Sequence, residues 1–466
     1  MDASFGRDVP RFSALRSTST GRDLPDGRPS DYCTSDTAAG TFRCCGPGLP
    51  LTFTQEPSAA HDRSFASGNA TLDQLVAEAL RSNPEIQAAR NEREAAQQRI
   101  RPAGALDDPM LEAGVLNLPV NTFNFRQDDM TMKMLGLSQR LPFPGKRGLR
   151  EDVAAKGAES IGFAYQETVN RVARDVRVDY YNLALVIEST GLVEKNKQIL
   201  EQFLKIAESR YAVGQGNQAD VLKAQTQVSR MMDELIRLGR ERAVIEAELT
   251  RTLGRGADSG EIMTETLHLE ETTLQKEALR ETALKERPQL LALLSLIGRS
   301  EKAIDLARKD YYPDFDLKFT YGQRDRSQDG MYRSDMIVFT VGINLPVWRE
   351  SKLAPRVAEA IAMRDQALDM YQAQQNEVYS QLRQQVASAQ QSLKSARLYE
   401  TGILPQARLT VESSLAAYKV NRVDFLTLLD NQMTVFNYEI GYATALSNYN
   451  KALAEIDLIV GKPGLQ

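Results

Sequence analysis

The chain has 466 residues, 42% of them hydrophobic, and a formal net charge of −5. This composition is that of a folded protein, and its slightly acidic balance offers no basic surface to a nucleic acid. The sequence has only two histidines and three cysteines, and it contains no nucleophile–base pair or phosphate-binding loop. It therefore supports neither an enzyme nor a bound metal or cofactor.

Residues 1–66 differ from the remainder of the chain. They are rich in serine, threonine, glycine, proline, aspartate and arginine, and they have no hydrophobic periodicity. All three cysteines, Cys33, Cys44 and Cys45, lie in this segment. The composition predicts a disordered or presequence-like segment. It lacks the apolar stretch of about 7–15 residues that a typical secretory signal contains.

Residues 67–466 contain the same landmarks twice, at a constant offset of 204 residues. The offset superimposes Pro84 on Pro288, Pro109 on Pro313, Leu141 on Leu345, and Asn217, Asp220 and Leu222 on Asn421, Asp424 and Leu426. Overall identity between the halves is low, so the prediction depends on these helix breakers, strand ends and turn residues. They predict two structural repeats, residues 67–274 and 275–466, each too long for a solenoid repeat.

The first repeat begins with a predicted helix at 72–81, capped by Thr71, and a second helix from Pro84 to about residue 105. Strands follow at about 109–118 and 131–141. The next span, about 146–213, has no proline and repeats apolar residues every three to four positions. It predicts one helix about 100 Å long. A further helix, about 218–253, ends at Gly254.

The second repeat predicts the same order of elements. Helices are expected at about 274–286 and 288–309, strands at about 313–322 and 335–345, and a long helix at about 355–418 that Pro405 kinks. The last helix covers about 422–461. In each repeat the helix after the proline and the last helix, placed end to end, nearly match the long helix. We therefore expect two long and two composite rods.

The strands of the second repeat show a strict alternation of side chains, and those of the first repeat a weaker one in which Leu135, Leu137 and Leu141 share one face. From Asp314 to Tyr321 the odd positions are apolar and the even positions polar, and from Met336 to Leu345 the odd positions are again apolar. A half-buried sheet of a soluble protein alternates in the same way, but four strands attached to such long rods have no globular core to cover. They suit a transmembrane β-barrel, which four strands cannot close. We expect a mainly α protein with a small β part, in which three chains share a barrel of about 12 strands.

This repeated order, together with the segment Tyr211-Ala-Val-Gly-Gln-Gly-Asn-Gln-Ala-Asp-Val-Leu222, resembles the TolC family of outer-membrane efflux proteins over about residues 71–461. The segment Leu141-Pro-Phe-Pro-Gly-Lys-Arg147 is similar to one found in members that serve heavy-metal efflux. The resemblance implies a homotrimer in the lipid of the bacterial outer membrane, with a helical tunnel across the periplasm. It implies a passive exit duct that a periplasmic adaptor and an inner-membrane pump open, often a pump of the resistance-nodulation-division (RND) class.

The family places acidic residues near the closed tip of the tunnel, and Asp424 matches one such position. In a trimer it would form a ring of three carboxylates, which raise one another's pKa, attract cations and make closure sensitive to pH. Three residues further on, where some members have a second acid, this chain has Thr427, so Asp430 is the candidate substitute and Asp220 the candidate from the first repeat. The alternative for Asp220 and Asp424 is a helix N-terminal aspartate that only stabilises the helix dipole.

The two helix–helix turns, about 213–218 and 419–423, are candidates for contact with the adaptor. The residues expected there are Tyr211, Gly214, Gly216, Asn217 and Asn421. Tyr211 and Gly214 match the family turn motif, but the 204-residue offset gives Leu415 and Tyr418 as their counterparts. The motif is then broken in the second repeat, and the contacts that hold the tip shut cannot be assigned. Ordinary helix turns that contain glycine are the alternative.

Two hypotheses from other classes stay open. A soluble coiled-coil interaction or scaffold protein explains the long helices but not the alternating hairpins. A periplasmic adaptor also has a long helical hairpin, but it needs β-rich flanking domains. Separately, Met130, Met132 and Met134 share a strand face: they are simply apolar if that face contacts lipid, and otherwise their thioethers suit Cu(I) or Ag(I). Lys146 and Arg147 either line the barrel–tunnel junction or form a solvated charge pair.

Overall fold

The computed structural model describes residues 71–256 and 262–462, all within one compact unit, Phe65–Gln466. The segment 1–66 that the sequence predicts to be disordered or presequence-like lies outside the described residues. The elements of the first half are α1 (Leu72–Ser82), α2 (Pro84–Gln98), α3 (Ile100–Gly104), β1 (Met110–Leu116), β2 (Met132–Leu141), α4 (Lys146–Ala212) and α5 (Gln218–Leu253). The helix expected to continue to residue 105 is thus two helices, separated at Arg99.

The second half contains α6 (Lys276–Glu286), α7 (Pro288–Lys309), β3 (Phe315–Gln323), β4 (Met336–Ile343), α8 (Ala354–Leu398), α9 (Leu404–Lys419) and α10 (Phe425–Val460). Two π-helical turns, Arg349–Leu353 and Tyr399–Ile403, precede α8 and separate α8 from α9. The second of them ends directly before Leu404 and Pro405. Proline has no backbone N–H to donate to the preceding turn, so the chain widens locally there.

Helix α2 stacks end to end on α5, and helix α7 stacks end to end on α10. At the joint between α5 and α2, the Asn83 side-chain amide donates to the Thr252 carbonyl at 2.7 Å, and the Ser82 hydroxyl donates to the Leu253 carbonyl at 2.7 Å. Gly254 has φ +71°, and a Cβ at this position would lie 2.6 Å from the Ser82 carbonyl oxygen. Gly461 makes the equivalent close approach to Glu286 between α10 and α7. The predicted composite rods are confirmed.

The rods pack in sequence around α4. Helix α4 contacts the α2–α5 rod and the α7–α10 rod, and α8 contacts the α7–α10 rod. Because each helix has a narrow apolar stripe, the core is divided into clusters along the rods. The main clusters centre on Leu200 and Phe425, on Val176 and Leu249, and on Val386 and Ile456. None of the helices in the described ranges is long and apolar enough to span a membrane.

Within residues 71–256 and 262–462, four strands form one antiparallel sheet in the order β1-β2-β3-β4, as the sequence predicts. The register aligns one apolar residue from each strand in a single row: Leu111, Leu137, Phe319 and Phe339. Leu111 is 71% exposed and Phe339 65% exposed in the single chain. The opposite face is more polar and carries an ion pair between Glu112 and Lys318. The sheet therefore has one exposed apolar face and one polar face.

The offset between the halves is not constant, and the prediction of a single 204-residue shift is wrong beyond the strands. Helices α5 and α10 both have 36 residues, and they begin at Gln218 and Phe425 and are followed by Gly254 and Gly461. Both comparisons give an offset of 207. The second half thus has three additional residues between the end of β4 and the turn that precedes α10. The two π-helical turns lie in this interval, and such turns accommodate residues beyond the regular helical repeat.

Candidate functional site

The first helix–helix turn connects α4 to α5. The Gly214 N–H donates to the Tyr211 carbonyl at 3.0 Å, and the Gln215 N–H donates to the Arg210 carbonyl at 2.9 Å. Gly214 has a left-handed φ of +74°. Asn217 then caps α5, because its side-chain oxygen accepts from the Ala219 N–H at 3.2 Å. The turn ends one helix and starts the next within a few residues.

The second turn, from α9 to α10, has the same hydrogen bonds three residues later than the 204-residue offset predicts. The Asn421 N–H donates to the Tyr418 carbonyl at 3.1 Å, and the Arg422 N–H donates to the Ala417 carbonyl at 2.9 Å. Asn421 takes the left-handed conformation, with φ +60°, and Asp424 is the N-cap of α10.

These bonds correct the pairing of the two turns. The structural equivalents are Tyr211 and Tyr418, Gly214 and Asn421, Asn217 and Asp424, and Asp220 and Thr427. The expectation that the turn motif is broken in the second half is wrong: its tyrosine is present, and asparagine replaces glycine. Asparagine is among the few residues that adopt the left-handed region readily. It is equally wrong that Asp220 and Asp424 are counterparts.

A contact between the two turns was not predicted from the sequence. The Arg210 guanidinium donates to the Tyr418 carbonyl at 2.7 Å and lies 4.5 Å from the centroid of the Tyr418 ring. The ring is 5% exposed and packs on Phe425, with 5.7 Å between the ring centroids. Burial raises the pKa of the Tyr418 hydroxyl, and the neighbouring Arg210 opposes this. The contact joins the α4–α5 hairpin to the α9–α10 hairpin.

The three candidate aspartates do not converge within one chain. Asp424 is exposed, and the Thr427 hydroxyl donates to its carboxylate, which lowers the pKa of Asp424. Asp220 is half-buried in the first turn of α5. Asp430 is exposed on α10, about 120° around the helix from Asp424 at 3.6 residues per turn. Thr427, which replaces the second acid, is therefore a partner of Asp424.

The residues expected to contact an adaptor lie at the ends of the two hairpins. Tyr211 is 49% exposed, Gly214, Asn217 and Asn421 are exposed, and Gly216 is half-buried. Two neighbouring apolar side chains are more exposed still, Val213 at 68% and Val420 at 63%. Both turns thus present apolar side chains to the surroundings of the single chain.

Lys146, at the junction of strand and helix, is part of a buried ion-pair cluster, so the solvated charge pair considered from the sequence is wrong for Lys146, whereas Arg147 is exposed. The Lys146 side chain is 4% exposed and donates to the Asp314 carboxylate at 2.8 Å and to the Tyr312 carbonyl at 3.0 Å. Asp314 also accepts from the Phe143 N–H at 2.9 Å. Arg147 donates to the Gly104 carbonyl at 2.7 Å. The cluster connects the end of β2 to the start of β3.

The chain is similar to known proteins along nearly its whole described length. The family model described as outer membrane efflux protein matches residues 75–255 and 279–462. The cobalt-zinc-cadmium resistance protein CzcC of Cupriavidus metallidurans is 23% identical over 401 residues, which is 85% of this chain and 91% of CzcC. The solved outer membrane protein VceC of Vibrio cholerae has a TM-score of 0.71 at 18% identity and covers 84% of this chain and 96% of its own. The solved structure of CusC has a TM-score of 0.72 at 15% identity, covering 84% and 92%.

The chain belongs to the outer membrane efflux protein family. It is a passive channel of the outer membrane and not an enzyme, and its tunnel extends into the periplasm. It is a trimeric component of a tripartite efflux system, in which it works with an adaptor and an inner-membrane pump. The expected fold class, a TolC-like trimer with a 12-stranded barrel on a helical tunnel, is confirmed. The soluble coiled-coil hypothesis is not supported, and the family match is to the channel, not to the adaptor.

Proposed function

We propose that this channel exports heavy-metal cations delivered by an inner-membrane pump of the RND class. The observation that carries the proposal is the alignment with a cobalt-zinc-cadmium resistance protein over 91% of that protein's length. The position of Asp424 gives independent support, because its exposed carboxylate lies at the start of α10, beside the helix–helix turn. Three such carboxylates around the axis of a trimer would attract cations to the entrance.

The tip of the tunnel is the proposed gate. Asp424, Asp430 and Asp220 are the proposed acidic residues of the constriction, with Asp424 the principal one. The Arg210–Tyr418 contact joins the two hairpins of one chain, and the hairpins must separate for the tip to widen. Breaking this contact is therefore a proposed step of opening.

The ends of the hairpins are the proposed docking points for the adaptor. The residues are Tyr211, Gly214, Gly216, Asn217 and Asn421. Exposed apolar side chains at both turns, Val213 and Val420, support a protein partner at these points, because apolar groups exposed together are typical of interaction surfaces. A partner that contacts both turns can bias their separation.

The apolar rows of the sheet are the proposed contact with outer-membrane lipid, since they leave four consecutive strands with exposed apolar side chains on one face. We also propose the domain division 67–274 and 275–466, which the recurring order of helices and strands supports. Residues 1–66 are proposed to be a separate disordered or presequence-like segment.

The proposal is tested in cells that lack their own metal-efflux channel and express this chain with its adaptor and pump. Intracellular Co²⁺, Zn²⁺ and Cd²⁺ are measured by mass spectrometry after exposure to each metal. We expect lower metal accumulation than in cells without the channel. Asp424→Asn should weaken cation selectivity in bilayer conductance, and more than Asp430→Asn does. Asp369→Asn, the matched control, removes an exposed carboxylate from α8 and should leave the selectivity unchanged. Unchanged metal levels with reduced accumulation of organic compounds would overturn the cation assignment.

A further inference from the structure

The methionines of the sheet lie on its polar face, not on its apolar face. Met134 pairs with Gly322, and Gly322 pairs with Met336, so the three residues form one row across β2, β3 and β4. Met132 lies two residues before Met134 and hence on the same face. This is the face of the Glu112–Lys318 ion pair, which in the closed barrel is directed into the lumen. Met130 precedes β2, so the expectation that three methionines share one strand is wrong for it.

The thioether of Met132 covers a position of β3 that has no side chain, Gly322. The Met132 sulfur occupies the space above Gly322: it would lie 2.6 Å from a Cβ built there. Met132 is 6% exposed, whereas Met336 is 37% exposed. Met134 and Met336 are two strands apart, or about 10 Å, with Gly322 between them. The unbranched methionine side chain has three rotatable bonds, and so both sulfurs can reach the Met132 sulfur across the glycine.

We propose that Met132, Met134 and Met336 form a binding site for soft monovalent cations, Cu(I) or Ag(I), on the luminal wall of the barrel. Neutral thioethers prefer such ions, whereas carboxylates prefer harder ones. Each trimer would carry three sites, and ligands without charge hold the ion weakly enough for it to leave again. The inference rests on the proposed metal-export function only for its physiological meaning, because binding itself is measured on the isolated trimer.

The test is a calorimetric titration of the detergent-solubilised full-length trimer with Ag(I) in chloride-free buffer. Cys33, Cys44 and Cys45 are replaced by serine in every sample, because thiolates bind silver more tightly than thioethers. The test variant is Met132→Leu/Met134→Leu/Met336→Leu, and leucine approximately conserves the volume. The matched control is Met363→Leu/Met370→Leu, which changes two exposed methionines of α8 outside the sheet.

We expect one silver ion per chain in the parent and in the control. In the triple variant the silver affinity should be lower by about tenfold or more, because even changes to residues around the metal ligands lower metal affinity roughly 10- to 100-fold. Equal silver affinity in all three proteins would overturn the site. If the triple variant does not assemble, Met132→Leu and the silver X-ray absorption spectrum of the parent decide: a spectrum without sulfur neighbours overturns the site. Cells that fail to export Co²⁺, Zn²⁺ and Cd²⁺ while the trimer still binds silver would refute the proposed export function and leave this site standing.

Discussion

Replacing Arg210 by alanine should release the two hairpins of the tip from each other. The guanidinium makes two contacts with Tyr418. It donates a 2.7 Å hydrogen bond to the carbonyl, and it makes a cation–π contact at 4.5 Å from the centre of the ring. A hydrogen bond from a charged donor contributes about 1.5–3 kcal/mol, and a partly exposed cation–π contact about 0.5–1 kcal/mol. Because Arg210 is half-buried, we take the lower ends of both ranges, about 2 kcal/mol per chain.

A difference of about 2 kcal/mol changes an equilibrium between closed and open tips about 30-fold in each chain. The assay is single-channel conductance of the purified trimer in planar bilayers. Arg210→Ala should increase the open fraction and the mean conductance at neutral pH. Since the charge contacts a backbone carbonyl, Tyr418→Phe keeps both the acceptor and the ring and should have a smaller effect than Tyr418→Ala.

The matched control is Arg230→Ala, which removes an exposed arginine from α5 of the same hairpin. It should leave the conductance as in the parent. If Arg210→Ala and Arg230→Ala gave the same open fraction, the Arg210–Tyr418 contact would not hold the tip closed. Equal circular dichroism spectra and equal trimer content establish that a change in conductance is not a folding defect.

Three other perturbations test the stability of the tunnel and its junctions. Gly254→Ala should lower the free energy of unfolding by about 2 kcal/mol or more, seen as a lower thermal midpoint, because its Cβ would lie 2.6 Å from the Ser82 carbonyl oxygen at a left-handed φ. Lys146→Met should cost about 3 kcal/mol because it leaves the buried Asp314 carboxylate without its closest cation, and Lys146→Met/Asp314→Leu should recover part of this loss in denaturant titrations. Burial and neighbouring carboxylates raise the pKa of Asp179 to about 6, so its ionisation costs stability above pH 6 and the cost disappears as the pH falls toward 4. Asp179→Asn should therefore stabilise the protein by about 1–2 kcal/mol at pH 7.5 and by much less at pH 4.5; equal gains at both pH values would contradict this.

The elements themselves were predictable because their signals are local. Pro84 and Pro288 start helices where the sequence predicts, and the observed β2 and β4 lie within the predicted strands. Long spans without proline and with apolar residues at three-to-four spacing gave α4. The turn motif at Tyr211, together with the repeated order of helices and strands, indicated the family. Each of these signals depends on neighbours within one or two helical turns, which the sequence displays directly.

The pairing of the two turns was not predictable in the same way. The additional residues of the second half lie in the interval that contains the two π-helical turns. Pro405 lies just after the second turn, but no residue pattern gives the number of additional residues. The pattern Tyr418-x-x-Asn421 was the available signal. The assumption of a constant 204-residue offset paired Tyr211 with Leu415, so the match between Tyr418-x-x-Asn421 and Tyr211-x-x-Gly214 was missed. Only the observed hydrogen bonds of the turns show that Asp424 is equivalent to Asn217 and not to Asp220.

By itself, the sequence determined a mainly helical chain with two copies of one plan, four alternating strands, and rods too long for a globular core. Tertiary structure alone decided which distant side chains meet. Arg210 reaches Tyr418 across 208 positions of the chain, and Lys146 reaches Asp314 across 168. Periodicity records which face of an element is apolar, but not which residue of another element lies opposite. The identity of the opposite residue depends on the register of the elements and on the number of residues in each helix. Three additional residues in a helix turn every later side chain to a different direction.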